Sequence, residues 1–479
     1  MAGVEGPPGA LPPPGQRQAV LVVVSLSAFL TPFLSSALNL AIPAIGEEFA
    51  APAAALHGVV VAFIIAAAAL LLPFGRLADL AGRRRIFLTG AALQALFLLA
   101  AAVAPNITSL VWLRALQGGT GAMPFATGMA MVVAAFPASQ RGRVLGISVA
   151  SVYLGLALGP VIGGLIVEWF GWRAIFLGSG LFGGGMALYG ALSIPRERSP
   201  EVTERRFDWL GAALYAAGFG ALVGGLAAVA RSGAGKWVIA AGAVAFGLFL
   251  VRDRLSARPI VPARLFRDPV FTFSNLAALL NYSATFAVGY LLSLYLQVVR
   301  GLPPRHAGLL LLAQPLTMAL LSPLAGRLSD RFQPRVPASL GMALTALSLF
   351  LFALLGPATP LAVVVGTLLL IGVGFALFSS PNTNAVMSAV DRRDYSVASA
   401  VLGTMRQLGQ SLSMAALALL TARTMGEAQL GADNALALLA TQRQAFLLFG
   451  PLCVLGVLAS LARGRVRRGA PQQPGVPGR

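Results

Sequence analysis

Two arginines sit where an arginine is costly. Arg114 lies about six residues into one long apolar stretch, and Arg406 about eleven residues into another. A charged side chain at such depth in lipid costs at least about 2.5 kcal/mol on insertion scales, so it is paired or faces a water-filled cavity. Arginine cannot shed its proton to escape that cost. No Asp or Glu falls in the middle of any apolar stretch to neutralise either one. Two solutions stay open for each. Local acceptors would serve: Gln117 and backbone carbonyls for Arg114, Gln407 or Gln410 for Arg406. Alternatively, a bound anion would engage a guanidinium through paired N–H bonds. A cavity with two fixed positive charges disfavours cations, so the expected small-molecule substrate is anionic or neutral. Asn39, Gln117, Asn382, Asn384 and Gln410 are expected to line that cavity with the two arginines, each equally open to a helix–helix hydrogen bond.

The sequence offers little other chemistry. It has no paired carboxylates, no His pair and no Ser/His/Asp set, so it points to no enzyme and no catalytic residue. Gly235-Lys236 is followed by Trp237 and lacks the leading glycine of a phosphate loop. Cys453, the single cysteine, excludes a disulfide within the chain and a cysteine-based metal site. No metal and no cofactor is expected.

The elements that must position these residues are membrane-spanning helices. Of 479 residues, 57% are hydrophobic and 11% charged, against about 25% charged in a soluble domain. Lipid is therefore the main solvent, and the bilayer the first partner. Fourteen apolar stretches centre near Phe29, Ile65, Phe97, Ala122, Leu156, Phe182, Ala217, Val244, Ala284, Leu316, Leu347, Gly372, Gln410 and Val454. The eighth, Val238 to Val251, is the shortest. Backbone groups cannot stay unpaired in hydrocarbon, so each stretch should be helical and the protein an all-α polytopic membrane protein. With the N-terminus inside, 26 of the 35 Lys and Arg residues fall on inner segments and seven on outer ones. That asymmetry places both termini in the cytoplasm of a bacterial-type plasma (inner) membrane. It also accounts for the +19 net charge without a nucleic-acid partner, since no soluble domain gathers the arginines.

The inner loops repeat themselves. Gly75-Arg76-Leu77-Ala78-Asp79 returns as Gly326-Arg327-Leu328-Ser329-Asp330, 251 residues later. Gly119-Thr120-Gly121 matches Gly372-Val373-Gly374, and Leu154-Gly155 matches Leu408-Gly409. A six-helix unit has been duplicated, with room for two further helices between the copies. The organisation is a disordered tail over 1–17, a first six-helix bundle over 18–195, a linker with two extra helices over 196–268, a second bundle over 269–463, and a disordered tail over 464–479.

In the first repeated loop Gly75 and Gly82 permit a tight turn and close helix approach. Asp79 can cap a helix start and pair with Arg83 or Arg84. The orientation rule explains the arginines but gives no reason for a carboxylate among them. Gly155, Gly159, Pro160, Gly163 and Gly164 put small residues at four-residue spacing, so two helices can approach closely, and Pro160 frees a carbonyl. Simple packing would also account for this set.

The loop Gly75-Arg-Leu-Ala-Asp79-Leu-Ala-Gly82-Arg83-Arg84-Arg85 resembles the signature loop of the major facilitator superfamily, with Leu80 where an Arg is usual. Leu113-Arg114-Ala-Leu-Gln117-Gly118 and Gly155-Leu-Ala-Leu-Gly159-Pro160 are similar to its fourth-span and exporter fifth-span motifs. Asn39-Leu-Ala-Ile-Pro43, Ser380-Pro381-Asn382-Thr383-Asn384 and Arg406-Gln407-Leu408-Gly409 resemble the fourteen-span drug:proton antiporters of the QacA/EmrB-like branch. The resemblance implies the major facilitator fold, two six-helix bundles plus two linking helices. It implies a secondary active exporter of amphipathic organic compounds, of the multidrug-efflux type, working by alternating access. It assigns Gly75, Asp79, Gly82, Arg83, Arg84, Gly326 and Asp330 to a cytoplasmic latch, and the fifth-span glycines and Pro160 to a hinge between the halves. It also implies a coupling proton, but Leu34 stands where that branch has its first-span Asp. A facilitator or importer of an organic anion is the alternative. The sequence names no accessory efflux subunit.

Overall fold

The computed structural model describes residues 12–51, 53–195, 207–228, 234–256, 259–425 and 435–464. The predicted tails lie largely outside them, as do 196–206 of the linker. Every described secondary-structure element is helical. The first half holds α1 (Pro14–Glu48), α2 (Ala53–Ala81), α3 (Arg83–Ala102), α4 (Ile107–Ala135), α5 (Arg141–Phe170) and α6 (Arg173–Ser193). Then come α7 (Trp209–Ala228) and α8 (Ala234–Leu255). The second half holds α9 (Pro269–Thr285), α10 (Val288–Leu294), α11 (Pro304–Leu311), α12 (Ala313–Arg331), α13 (Arg335–Ala353), α14 (Leu361–Ser388), α15 (Tyr395–Met425) and α16 (Ala435–Ala462). α1 begins four residues before the predicted boundary, because Pro14 is well placed in a first helical turn, where no N–H is needed.

These helices cover all fourteen predicted stretches, two of which are broken. The ninth changes from α9 to α10 and closes with a π-helical turn over Tyr295–Val299. The tenth divides after Leu311, four residues before Pro315. Pro315 has no N–H for the Leu311 carbonyl, and its ring presses on that carbonyl. Among the described residues, ten helical stretches are long and apolar enough to cross a membrane. α4 and α15 are not among them; they carry Arg114 and Arg406. Neither are the inserted α7 and α8.

The two halves pack alike. α1 lies on α5, α2 on α4, and α3 on α4 and α6; correspondingly α9 lies on α15, α12 on α14, and α13 on α14 and α16. The halves meet along two equivalent seams, α2 against α15 and α12 against α5. The inserted α7 and α8 pack on each other, and α7 lies over α2 and α15. Asp208 ties the pair together, accepting from Gly211 N at 2.9 Å and from Arg252 Nη2 at 2.8 Å. The Tyr215 hydroxyl, fully buried, lies 3.2 Å from Thr404 Oγ1 of α15 and 3.5 Å from the Ala68 carbonyl of α2. At the far end of the first half Glu48 accepts from Trp172 Nε1 at 2.7 Å and from Arg173. The Arg173 and Trp172 hydrogen bonds hold its carboxyl below the usual carboxylate range.

The glycines of α5 set the α1–α5 distance. A Cβ at Gly155 would overlap the Phe29 carbonyl, one at Gly159 would lie 2.6 Å from Ser36 Cβ, and one at Gly163 would overlap Ala37. Of the predicted hinge residues, Gly155, Gly159 and Gly163 thus face α1 of their own half, while α5 meets α12 through Gly142 and Gly146. Pro160 lies within α5, which runs unbroken to Phe170, and Gly164 is half-buried there. We expect Gly155→Val to force α1 from α5 at about 1–3 kcal/mol, lowering the melting temperature of the solubilised protein. Gly178→Val, with nothing within 4 Å of its Cβ, should leave it unchanged; equal melting of the two variants would contradict this packing.

Candidate functional site

Two carboxylates cross the seams at one end of the bundle, the end where α1 begins and α16 finishes. Asp79, near the end of α2, accepts from Ser396 N at 3.2 Å and Val397 N at 3.0 Å, the first turn of α15. Those N–H groups have no partner within their own helix, and the helix dipole favours a negative charge beside them. Arg83 closes the cluster. Its Nε and Nη2 donate to Asp79 Oδ1 at 3.0 and 2.8 Å, and it also donates to Ser396 Oγ at 3.0 Å and to the Arg392 carbonyl. A Cβ at Gly75 would lie 2.6 Å from Ala400 Cβ, so glycine lets α2 reach α15. Gly82, at φ 101°, adopts the left-handed region that turns the chain from α2 into α3. Arg84 turns away from the seam and donates to the Ala191 and Ile194 carbonyls at 2.7 and 2.9 Å, at the end of α6.

The second repeat does the same on the other seam. Asp330 accepts from Gly142 N at 2.7 Å and Arg143 N at 2.9 Å, the first turn of α5. Gly142 and Gly326 cross so closely that a Cβ on either would overlap the other's carbonyl. A further carboxylate at the start of α15, Asp394, accepts from Arg264 of the linker at 2.9 Å. With both latches formed, the seams are closed at this end.

Arg406 lies deeper. Its guanidinium carbon sits 5.5 Å from the Phe125 ring centroid, on α4 of the first half, and 5.0 Å from that of Tyr282, on α9 of the second. Tyr282 packs edge-on to Phe375 at 5.5 Å, and Phe375 to Tyr153 at 6.1 Å. Tyr153, Tyr282 and Arg406 are close enough to interact electrostatically. At about 1.5 Å of rise per residue, counted from their helix ends, these five positions all lie roughly 15–20 Å from the latched end. That is about half the ~30 Å hydrocarbon core. Arg406 Nε is buried and has no hydrogen-bond partner among the described residues. Gln410, one turn on, is half-buried.

Arg114 is accommodated differently. It is 2% exposed; Nη1 donates to Gln117 Oε1 at 2.8 Å and Nε to the Val59 carbonyl at 3.1 Å, with the Phe63 ring 4.5 Å away. Gln117 in turn donates to the Phe97 carbonyl at 2.9 Å. This network joins α2, α3 and α4 inside the first half. Asn382 donates to the Ser274 carbonyl at 3.1 Å and Asn384 to Ser329 Oγ at 3.0 Å, both inside the second half. Asn39 lies in α1, and its side chain is outside the described residues. Of the predicted cavity set, Arg406 and Gln410 lie by the aromatic cluster. Tyr153 and Tyr282 carry no sequence signal beyond being polar residues within spans. Phe125 and Phe375 carried no signal, since aromatic residues are ordinary in apolar helices.

Two six-helix halves, closed against each other at one end and meeting in an aromatic and cationic cluster at mid-depth, define a multi-pass membrane transporter. The chain belongs to the major facilitator superfamily, whose family model matches residues 24–414; it is a transporter family, not one of enzymes. It is 28% identical to the riboflavin transporter RibZ of Clostridioides difficile (strain 630), over 93% of this chain and 97% of that one. It is 32% identical to the multidrug resistance protein Stp of Mycobacterium tuberculosis, over 83% of this chain and 74% of that one. The human organic anion transporter MFSD10 (TETRAN) shares its fold at a TM-score of 0.63 and 15% identity, covering 94% of this chain and 100% of that one.

The latch geometry makes a direct prediction. Asp79→Asn exchanges one acceptor oxygen for an N–H₂ that opposes a backbone donor and removes the charge beside Arg83. Losing a charge-assisted bond of about 1.5–3 kcal/mol should shift the population toward an open latched end. Thiol labelling of a cysteine introduced at Ala400 should rise about tenfold or more, with membrane insertion unchanged. Asp330→Asn should act likewise on a cysteine at Ser322, buried where α12 crosses α5. Labelling rates equal to those of the unaltered latch would mean that the carboxylates do not hold the seams.

Proposed function

We propose that this protein is a secondary active exporter of amphipathic organic compounds, of the fourteen-span drug:proton antiporter branch, working by alternating access. The observation that carries this reading is the pair of equivalent latches, Asp79 on α15 and Asp330 on α5. Two related halves locked at one end, with a cluster between them at mid-depth, are what rocking about a central site requires. The arginine asymmetry puts both termini and the latches in the cytoplasm, so this arrangement corresponds to an outward-facing state. Relatives named for multidrug resistance and for riboflavin transport support an amphipathic organic cargo.

Coupling departs from the branch. Leu34 is 2% exposed and packs with Leu30, Ala37 and Phe176. A coupling proton would therefore have to travel by a route other than a first-span carboxylate. A second reading, a facilitator or importer of an organic anion, is favoured by the unpartnered Arg406 Nε. The two readings share a site and differ in direction.

Reporter fusions ending at Ala51 and Ala228 should read outside, and one ending at Ser256 inside. An inside signal at Ala228 would remove the α7–α8 crossing. Cells making the protein should accumulate less of a lipophilic fluorescent dye than cells making Asp79→Asn, and collapse of the proton gradient should abolish the difference. Greater accumulation with the unaltered protein would favour the importer reading.

A further inference from the structure

We propose that the mid-depth cluster around Arg406 binds planar aromatic anions, the carboxylate or phenolate taking the Arg406 guanidinium and the ring stacking on the exposed part of Phe125. The proposal rests on the transporter reading and specifies the cargo of that site.

The charge comes first. Every described carboxylate lies at a helix end or in a connection, none at the depth of Arg406. Arg114 is met by Gln117 and the Val59 carbonyl, whereas the buried Arg406 Nε meets no acceptor among the described residues. The flanking rings attract the cation but accept none of its five N–H donors in their own plane. An anionic group from a ligand supplies what the protein withholds. A cation there would face the guanidinium with no counter-charge.

The shape comes second. Arg406 lies between Phe125 of the first half and Tyr282 of the second, at 5.5 and 5.0 Å. The sequence of flat groups continues from Tyr282 through Phe375 to Tyr153. Phe125 is 40% exposed although a Cβ on Gly403 would touch its ring, so one side of that ring is packed on α15 and the rest is open. A flat ring can stack on the open part while its charged edge reaches Arg406. Gln410, half-buried on the same face of α15, offers an amide to a further polar substituent. Because Phe125 belongs to the first half and Arg406 to the second, such a ligand bridges them, and the site changes shape when they rock.

The test is direct binding to the purified full-length protein in lipid nanodiscs, with four probes. They are 2-naphthoate, 2-naphthamide, trimethyl-2-naphthylammonium and decalin-2-carboxylate. We expect 2-naphthoate to bind about 10- to 100-fold more tightly than the amide, the scale of a charge-assisted hydrogen bond, and more tightly than the saturated carboxylate. The ammonium should bind weakest. Arg406→Gln should collapse the carboxylate-to-amide ratio toward one, with Arg406→Lys intermediate; Phe125→Leu should weaken both naphthyl probes while keeping their ratio. Equal binding of carboxylate and amide by the unaltered protein, ammonium binding as tight as the carboxylate, or no naphthoate binding at millimolar concentration overturns the proposal without need of a variant. Decalin carboxylate matching naphthoate overturns its aromatic part. Export of amphipathic dyes without naphthoate binding overturns this inference alone, whereas naphthoate binding without transport of any compound overturns the transporter reading.

Discussion

In hydrocarbon a polar group must find its partner inside the protein, and the arrangement of this molecule follows from where partners are found. Helix starts are the hardest case, since their first N–H groups have no acceptor within the helix. α15 and α5 solve it by borrowing a carboxylate from the opposite half, Asp79 and Asp330 respectively. The same bonds that complete a helix therefore join two halves. A structural need and a conformational contact share one set of atoms, so the contact cannot open without leaving two helix starts to be satisfied by water.

The two membrane-depth arginines show the same constraint resolved in opposite ways. Arg114 sits in a closed network whose acceptors come from α2, α3 and α4. It fixes three helices of one half and leaves little capacity for a ligand. Arg406 lies against an aromatic ring from each half, and its buried Nε has no hydrogen-bond partner among the described residues. Arg114 is almost wholly buried and Arg406 partly so, and only the second leaves its cost in a form that a bound molecule can relieve.

Much of this was legible in the sequence, and the rest was illegible for physical reasons. The repeated Gly-Arg-Leu-x-Asp loops marked both latches, because a carboxylate among arginines needs an explanation. The groups that receive them did not show, since Ser396, Val397, Gly142 and Arg143 contribute backbone N–H, which every residue but proline has. Arg84 could not be separated from Arg83 by spacing alone; only the turn at Gly82 sends one to Asp79 and the other to α6. The α5 glycines announced a close approach but not its partner, which proved to be α1 rather than the seam. The division of the tenth stretch was written in Pro315, whereas the π-helical turn at Tyr295–Val299 has no comparable mark.

The inserted hairpin makes the two seams unlike. α7 lies over the α2–α15 side, where Tyr215 touches both helices, while among the described residues no further helix covers the α5–α12 side. Two halves alone would present equivalent flanks to the bilayer. Here one flank is roofed by protein and the other is left to lipid. A molecule dissolved in the membrane thus meets two unlike flanks, one faced by the inserted α7 and the other by α5 and α12 themselves.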